Sequence, residues 1–213
     1  MAKIGGFRVR VRPLSLGLMV VGLLMLMLVK PGLLLPSVAQ DLTGLGWELG
    51  SFPVENFQTY SSPFGYRASP TGGYGTEFHN GLDFAAPEGS YIRNWWAGKV
   101  IEVSDDTACG TLVRVQSGAW QHVYCHMKGQ VEIEPRGRVM VDRAGGVEIW
   151  QGQTLATGMR IGRVGMTGRT TGPHLHWTLR HQGQLVNPGV VLQAMAEAQQ
   201  AVTAPESSVA NRG

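Results

Sequence analysis

The 213-residue sequence predicts an all-β protein, a compact antiparallel β-sheet domain followed by one short C-terminal helix. Two observations carry this expectation. From "YIRNWW" to "LHWTLR", short runs rich in β-branched and aromatic residues succeed one another at close spacing, punctuated by Gly, Pro and Asp. No long 3.6-residue period competes with them between 64 and 188. A composition of 43% hydrophobic and 15% charged residues with 30 glycines also fits a turn-rich globular domain better than a helical bundle.

The elements follow in order. Residues 1–39 open with Lys3, Arg8, Arg10 and Arg12 and continue in an uncharged apolar run from Leu14 to Val29. This is the pattern of an export signal, with cleavage expected after Ala39, or of a membrane anchor if it is retained. Removing the leader takes five of the 18 basic residues and no acid, leaving 13 against 15 acidic residues and a net charge of −2. That balance argues against nucleic acid as a partner, because phosphate binding is dominated by cationic charge. A membrane is met only through the leader.

Residues 40–63 read as a lead-in without strong period. The β-type runs then occupy the chain to Pro188. Within them, "GTLVRVQSGAWQHVY" reads as a hairpin around a three-residue loop, Gln116-Ser117-Gly118, with glycine in the left-handed position. A symmetric loop pairs Val115 with Ala119 and, counted outward, sets Cys109 opposite Cys125. An exported chain favours a disulfide there over a two-cysteine metal site, since no second cysteine pair accompanies it. After "NP" at 187–188, the Ala- and Gln-rich stretch 189–202 predicts one helix, and the last residues lack the apolar content to fold.

Chemistry concentrates in three places. "PHLHW" puts His174 and His176 two apart, so in a strand they share a face with Thr178 and Arg180 while Leu175, Trp177 and Leu179 enter the core. "HNGLD" sets His79 and Asp83 at even spacing, able to reach one cation from one side of an extended segment. "QHVYCHM" ends in His126, with His122 and Tyr124 at the same parity. A lone strand histidine is ordinarily a hydrogen-bonded structural residue, the role expected of His122 and His181. Trp95-Trp96 is expected to serve core and surface rather than to stack on sugars.

The blocks "FGYR" (64–67), "HNGLDFAAPEGS" (79–90), "YCHM" (124–127), "GMTGRTTGPHLHW" (165–177) and "VNP" (186–188) resemble, in the same order, the signatures of lysostaphin-type, LytM-like zinc endopeptidases. The resemblance covers roughly 64–188 and implies a β fold with an open substrate groove. It implies one Zn2+ per chain held by His79, Asp83 and His176, with His126 and His174 as catalytic histidines and a peptidoglycan peptide as substrate. Arg67 is expected either to position substrate or to form a structural ion pair. Asn80 is expected to be loop structure near the substrate. Thr167, Gly168, Thr171, Gly172 and Pro173 are expected to shape the turn that delivers His-x-His. The alternative is a catalytically silent scaffold that activates a cell-wall amidase, but such members lose ligands or catalytic histidines and this chain keeps all five.

The implied organisation is a signal peptide or anchor over 1–39, a lead-in over 40–63, the metallopeptidase domain over 64–188, and a helix with a disordered tail over 189–213. Two departures from the family stand out. Segment 128–152 is long enough for an added hairpin, expected to form a groove wall, and Cys125 replaces the usual small apolar residue before His126.

Overall fold

The computed structural model describes residues 46–69 and 75–203. The leader with its cleavage position and the tail beyond 203 lie outside the described residues. In chain order the strands are β1 (Thr59–Ser62), β2 (Gly65–Ala68), β3 (Thr76–His79), β4 (Leu82–Ala85), β5 (Tyr91–Arg93), β6 (Gly98–Ser104), β7 (Leu112–Ser117) and β8 (Trp120–Cys125). There follow β9 (Gln130–Glu134), β10 (Gly137–Asp142), β11 (Val147–Trp150), β12 (Thr154–Leu155), β13 (Arg160–Arg163), β14 (His174–His181), β15 (Gln184–Val186) and a single long helix, α1 (Pro188–Thr203).

The expected fold class is the observed one. The main sheet runs β1-β4-β14-β8-β7-β6-β12, with β15 pairing the far end of β14, and its ladders are antiparallel. Alternation along each strand divides the sheet into two faces. Leu82 and Phe84 of β4, Val113 and Val115 of β7, Tyr124 of β8, and Leu175, Trp177 and Leu179 of β14 are buried in one apolar core. Trp95 sits at its centre with no exposed surface, its ring against those of Trp47, Trp120 and Trp177, while Trp96 is only half-buried. The opposite face is the floor of the groove described below.

His122 is fully buried on the core side and fully satisfied. The Trp95 backbone N–H donates to the Tyr124 hydroxyl at 2.7 Å, Tyr124 meets His122 Nδ1 at 2.8 Å, and His122 Nε2 meets the Ser117 hydroxyl at 2.9 Å. A chain of hydrogen bonds of this kind removes the cost of burying each polar group. Its position fits the structural role expected of it. His181 stacks on Trp120 with ring centroids 4.6 Å apart.

Two local expectations need correction. The β7–β8 hairpin turns through two residues, Gly118 and Ala119, with Ser117 opposite Trp120 and Val115 opposite His122 rather than Ala119. Gly118 takes φ +55 at the first central position, where primed two-residue turns need it, and such a turn matches strand twist better than the three-residue loop expected. Cys109 and Cys125 are nonetheless bridged, with Cα atoms 5.0 Å apart. Cys109 reaches its partner from outside the strand, on a turn closed by the Gly110 N–H donating to Thr107 O at 2.9 Å.

Segment 128–152 is a three-stranded meander, β9-β10-β11, rather than one added hairpin. It forms no wall of the groove, because Met140, Val147 and Ile149 bind it into the main core on another side of the domain. The lead-in, aperiodic in sequence, is structurally committed from residue 46 onward. Val54 bridges to Ile92, and β1 pairs with β4.

Helix α1 matches its expected position. Asn187 caps it through Oδ1, which accepts the Gly189 N–H at 2.9 Å, and Pro188 occupies the first helical position, where no N–H is needed. It buries Val191, Leu192 and Met195.

Candidate metal centre

The groove is an open cavity of about 730 Å³ on the polar face of the main sheet. β14 pairs with β4 so that His176 lies opposite Asp83, and on its other side with β8 so that His176 lies opposite Cys125. Gly81, between His79 and Asp83, lets the chain pass over His176. A Cβ there would stand 2.7 Å from the His176 ring and 2.7 Å from the Trp177 carbonyl oxygen, so no larger residue fits.

Three atoms converge as a result. His79 Nε2 lies 3.1 Å from Asp83 Oδ1 and 2.9 Å from His176 Nδ1, and the last two are 2.8 Å apart. The far side of each ring is already committed. His79 Nδ1 meets the Pro63 carbonyl at 2.7 Å, and a carbonyl only accepts, so this nitrogen carries the proton. His176 Nε2 faces Asn80 Oδ1 and Thr178 Oγ1, both at 3.1 Å, and donates there. With these far nitrogens committed, His79 Nε2 and His176 Nδ1 both turn toward Asp83 Oδ1, an arrangement in which one cation could be shared by the three atoms.

These residues fit a zinc ion. Ligand bonds of about 2.0–2.1 Å in tetrahedral geometry imply ligand–ligand edges of about 3.3 Å, close to the separations here. Two imidazole nitrogens and one carboxylate oxygen form a donor set typical of an open zinc site. His79, Asp83 and His176 are also the one such cluster among the described residues.

Asp83 divides its two oxygens. Oδ1 faces the histidines and Oδ2 accepts from Arg67 Nη1 at 3.2 Å. Burial pushes its carboxyl pKa up, but hydrogen bonds with His176 and His79 outweigh that and hold it far below the usual carboxylate range. Arg67 also meets Glu77 at 3.3 Å and the Ser62 hydroxyl, so it sits in an ion-pair network that orients Asp83. Asn80 is more than loop structure, since its carbonyl oxygen fixes the His176 tautomer. Its adjacency to His79 was the only sequence signal.

Two further imidazoles flank the three atoms. His174 Nδ1 donates to Gly172 O at 2.9 Å, leaving Nε2 3.6 Å from Asp83 Oδ1. His126 Nδ1 donates to Thr167 O at 2.8 Å, again leaving Nε2 as the accepting nitrogen. The His126 and His174 ring centroids are 4.8 Å apart. Burial pushes the His126 imidazole down to about 4, against the raising effect of the Thr167 hydrogen bond, so it is neutral at neutral pH.

His126 reaches the groove in spite of its parity. His122 and Tyr124 face the core, and a regular strand would send His126 after them. Instead β8 ends at Cys125 and His126 takes φ +58, so residues 125 and 126 both turn toward the groove. The His126 N–H donates to Cys109 O at 2.8 Å and its carbonyl accepts from Gly165 N at 2.9 Å. With the disulfide one residue away, these bonds hold a left-handed conformation that a non-glycine residue rarely adopts. The anchoring carbonyls of Thr167 and Gly172 were not foreseen, because backbone acceptors leave no mark on residue type.

The fold and site together define an all-β domain with a candidate His/Asp/His metal centre at the floor of an open groove. The chain belongs to peptidase family M23, whose profile matches residues 77–188. It is 34% identical over 157 residues to the DD-carboxypeptidase/endopeptidase Mpg of Neisseria meningitidis serogroup B, covering 72% of this chain and 32% of that protein. It is also 34% identical over 110 residues to the peptidoglycan DD-endopeptidase ShyA of Vibrio cholerae serotype O1, covering 51% of this chain and 22% of that one. A zinc-containing peptidase from Vibrio cholerae of solved structure matches with a TM-score of 0.51 at 28% identity, over 68% of this chain and 38% of that chain. The chain thus spans about a third or less of the length of these curated relatives.

Proposed function

We propose that this chain is an exported zinc-dependent endopeptidase that hydrolyses peptide bonds in the stem peptides or cross-bridges of peptidoglycan. The observation that carries the reading is the convergence of His79 Nε2, Asp83 Oδ1 and His176 Nδ1 beside two imidazoles whose remaining nitrogens face the same space. The activities for which Mpg and ShyA are named support the substrate class, and the leader supports work in the periplasm or cell envelope.

Zinc held by His79, Asp83 and His176 would supply Lewis acidity, acidifying water and polarising the scissile carbonyl. The remaining work falls to the chain. His126 and His174 turn their Nε2 atoms to the groove, where they orient the attacking water, take up its proton and then hydrogen-bond to the oxygen that gains charge. Their Nδ1 anchors fix the tautomer, so neither ring needs to reorganise as the proton moves. Arg67 and Asn80 hold Asp83 and His176 in place. The open groove admits an extended peptide.

The test is zinc stoichiometry together with peptide release from isolated cell walls, before and after chelation and on zinc readdition. One zinc per chain is expected, with release lost on chelation and restored by the metal. A metal-free, inert protein that stimulates a cell-wall amidase would establish the scaffold reading instead.

A further inference from the structure

We propose that Arg114 and Arg180 form a carboxylate-recognition subsite in the groove, so that the peptide it takes is an anionic stem peptide and not a neutral glycine bridge. This rests on the peptidase reading and adds the charge of the substrate to it.

Register puts both guanidiniums in the groove's floor. On β14, His176, Thr178 and Arg180 share one face, and four residues at about 3.4 Å each set Arg180 about 13 Å along the strand from His176. Thr178 lies opposite Val123 of β8, which lies opposite Arg114 of β7, so Arg114 stands two strand spacings, about 10 Å, from Thr178. Both arginines line the same cavity as the three metal-facing residues, and both are half-buried. Side chains of this length close much of the remaining gap. An extended peptide advances about 3.3–3.6 Å per residue, which places the recognised carboxylate two to four residues from the scissile bond.

The charge count points the same way. Arg67, Arg114, Arg169 and Arg180 line the groove against two carboxylates, Glu77 and Asp83. Glu77 is shared between Arg67 at 3.3 Å and Arg169 at 3.2 Å, and Asp83 belongs to the metal centre. Arg114 spends its Nε on Glu102 at 2.7 Å, and no hydrogen bond from its two Nη groups is found among the described residues. Arg180 has no acidic partner among those residues, and its Nη1 donates to the Gly183 carbonyl at 2.9 Å. Guanidinium forks in this state match a carboxylate, while a chain of glycines offers them no charge to bind.

The experiment uses the full chain carrying His126→Ala, loaded with zinc, and three synthetic probes: a stem peptide with free carboxylates, the same peptide as carboxamides, and pentaglycine. Calorimetry is expected to show the free acid binding about tenfold to hundredfold tighter than the amide, a preference that shrinks with added salt. Adding Arg114→Gln and Arg180→Gln should abolish the preference while zinc stoichiometry stays at the parent value, and Arg180→Lys should keep part of it. Equal binding of acid and amide, or a preference that survives the double substitution, overturns the subsite. Should the double variant misfold, the Arg180→Lys and salt arms decide. Acid-selective binding by a chain whose wild type releases no peptide from walls leaves the subsite standing and removes the peptidase reading. Cleavage without acid selectivity does the reverse.

Discussion

Asp83 and His176 face each other across a strand pair and His79 ends β3, whereas His174 is the first residue of β14 and His126 lies beyond the end of β8. The first group needs little beyond register: β4 against β14 puts Asp83 opposite His176, and Gly81 lets His79 close over them. The second group needs scaffolding. His174 opens β14 and hangs from the Gly172 carbonyl, while His126 lies beyond β8 in a left-handed conformation, tied to Thr167, Gly165 and Cys109. Ligands that must share one ion gain from the rigidity of a sheet. In the proposed reaction, the two imidazoles that would handle the proton are instead held by backbone carbonyls of neighbouring loops.

This difference can be broken in halves. The largest effect is expected from His176→Ala, which removes a ligand and leaves Asp83 facing His79 alone. Zinc stoichiometry should fall to near zero and peptide release with it. In the wild type, chelation should lower the melting temperature, because a bound ion stabilises only the folded state, and in His176→Ala it should not. A variant that keeps its zinc and its activity would dissolve the distinction between the two groups.

Next in size is His126→Ala. Zinc should stay at wild-type stoichiometry while kcat falls about 10²- to 10⁴-fold, the usual contribution of a positioned acid or base. Loss of zinc in this variant would move His126 into the ligand group.

The same division explains what the sequence disclosed. The shared face of His174 and His176 and the even spacing of His79 and Asp83 follow from a period of two, so spacing marked these residues as candidates, while the choice of His79, Asp83 and His176 as a set came from the resemblance to a known family. His126 defeats that rule by changing hand after Cys125, and only the resemblance to a known family pointed to it. The carbonyls of Thr167 and Gly172 act through the backbone and so were invisible. The pairing of Cys109 with Cys125 was expected on a wrong register. Its geometry comes from the Thr107–Gly110 turn instead of from the ladder. The β9–β11 segment was expected as an added hairpin walling the groove, and that placement failed because nothing in its alternation says which side of the domain it will cover.

A smaller effect is expected where the scaffold of the second group is loosened. Replacing both cysteines, Cys109→Ala with Cys125→Ala, frees the turn whose carbonyl holds the His126 N–H. Zinc should be retained and KM little changed, while kcat drops by about tenfold to a hundredfold, since about 1 Å of misplacement costs that much. The bridge spans a sequence separation of 16, so its loss should cost about 3 kcal/mol in unfolding free energy. Unchanged kcat with lowered stability would show that the bridge serves the fold and not His126.

His122 sharpens the contrast from the other side, as a histidine of β8 that faces the core and not the groove. Burial pushes its imidazole down to about 3, against about 6.5 when unfolded. The unfolded chain therefore binds a proton at this site between those values that the folded chain does not. The stability of the neutral, buried ring is complete above about pH 6.5 and drains away as pH falls toward 3, by about 1.4 kcal/mol per pH unit for each such proton. His126, held down to about 4, adds a loss of the same sign over a narrower window. Denaturant melts of wild type and His122→Phe between pH 6 and 4.5 should both lose stability on acidification, with the variant's slope shallower by about one proton. Comparing slopes separates titration from the broken bonds to Ser117 and Tyr124, which shift the whole curve. Parallel slopes would mean that His122 is protonated in the fold.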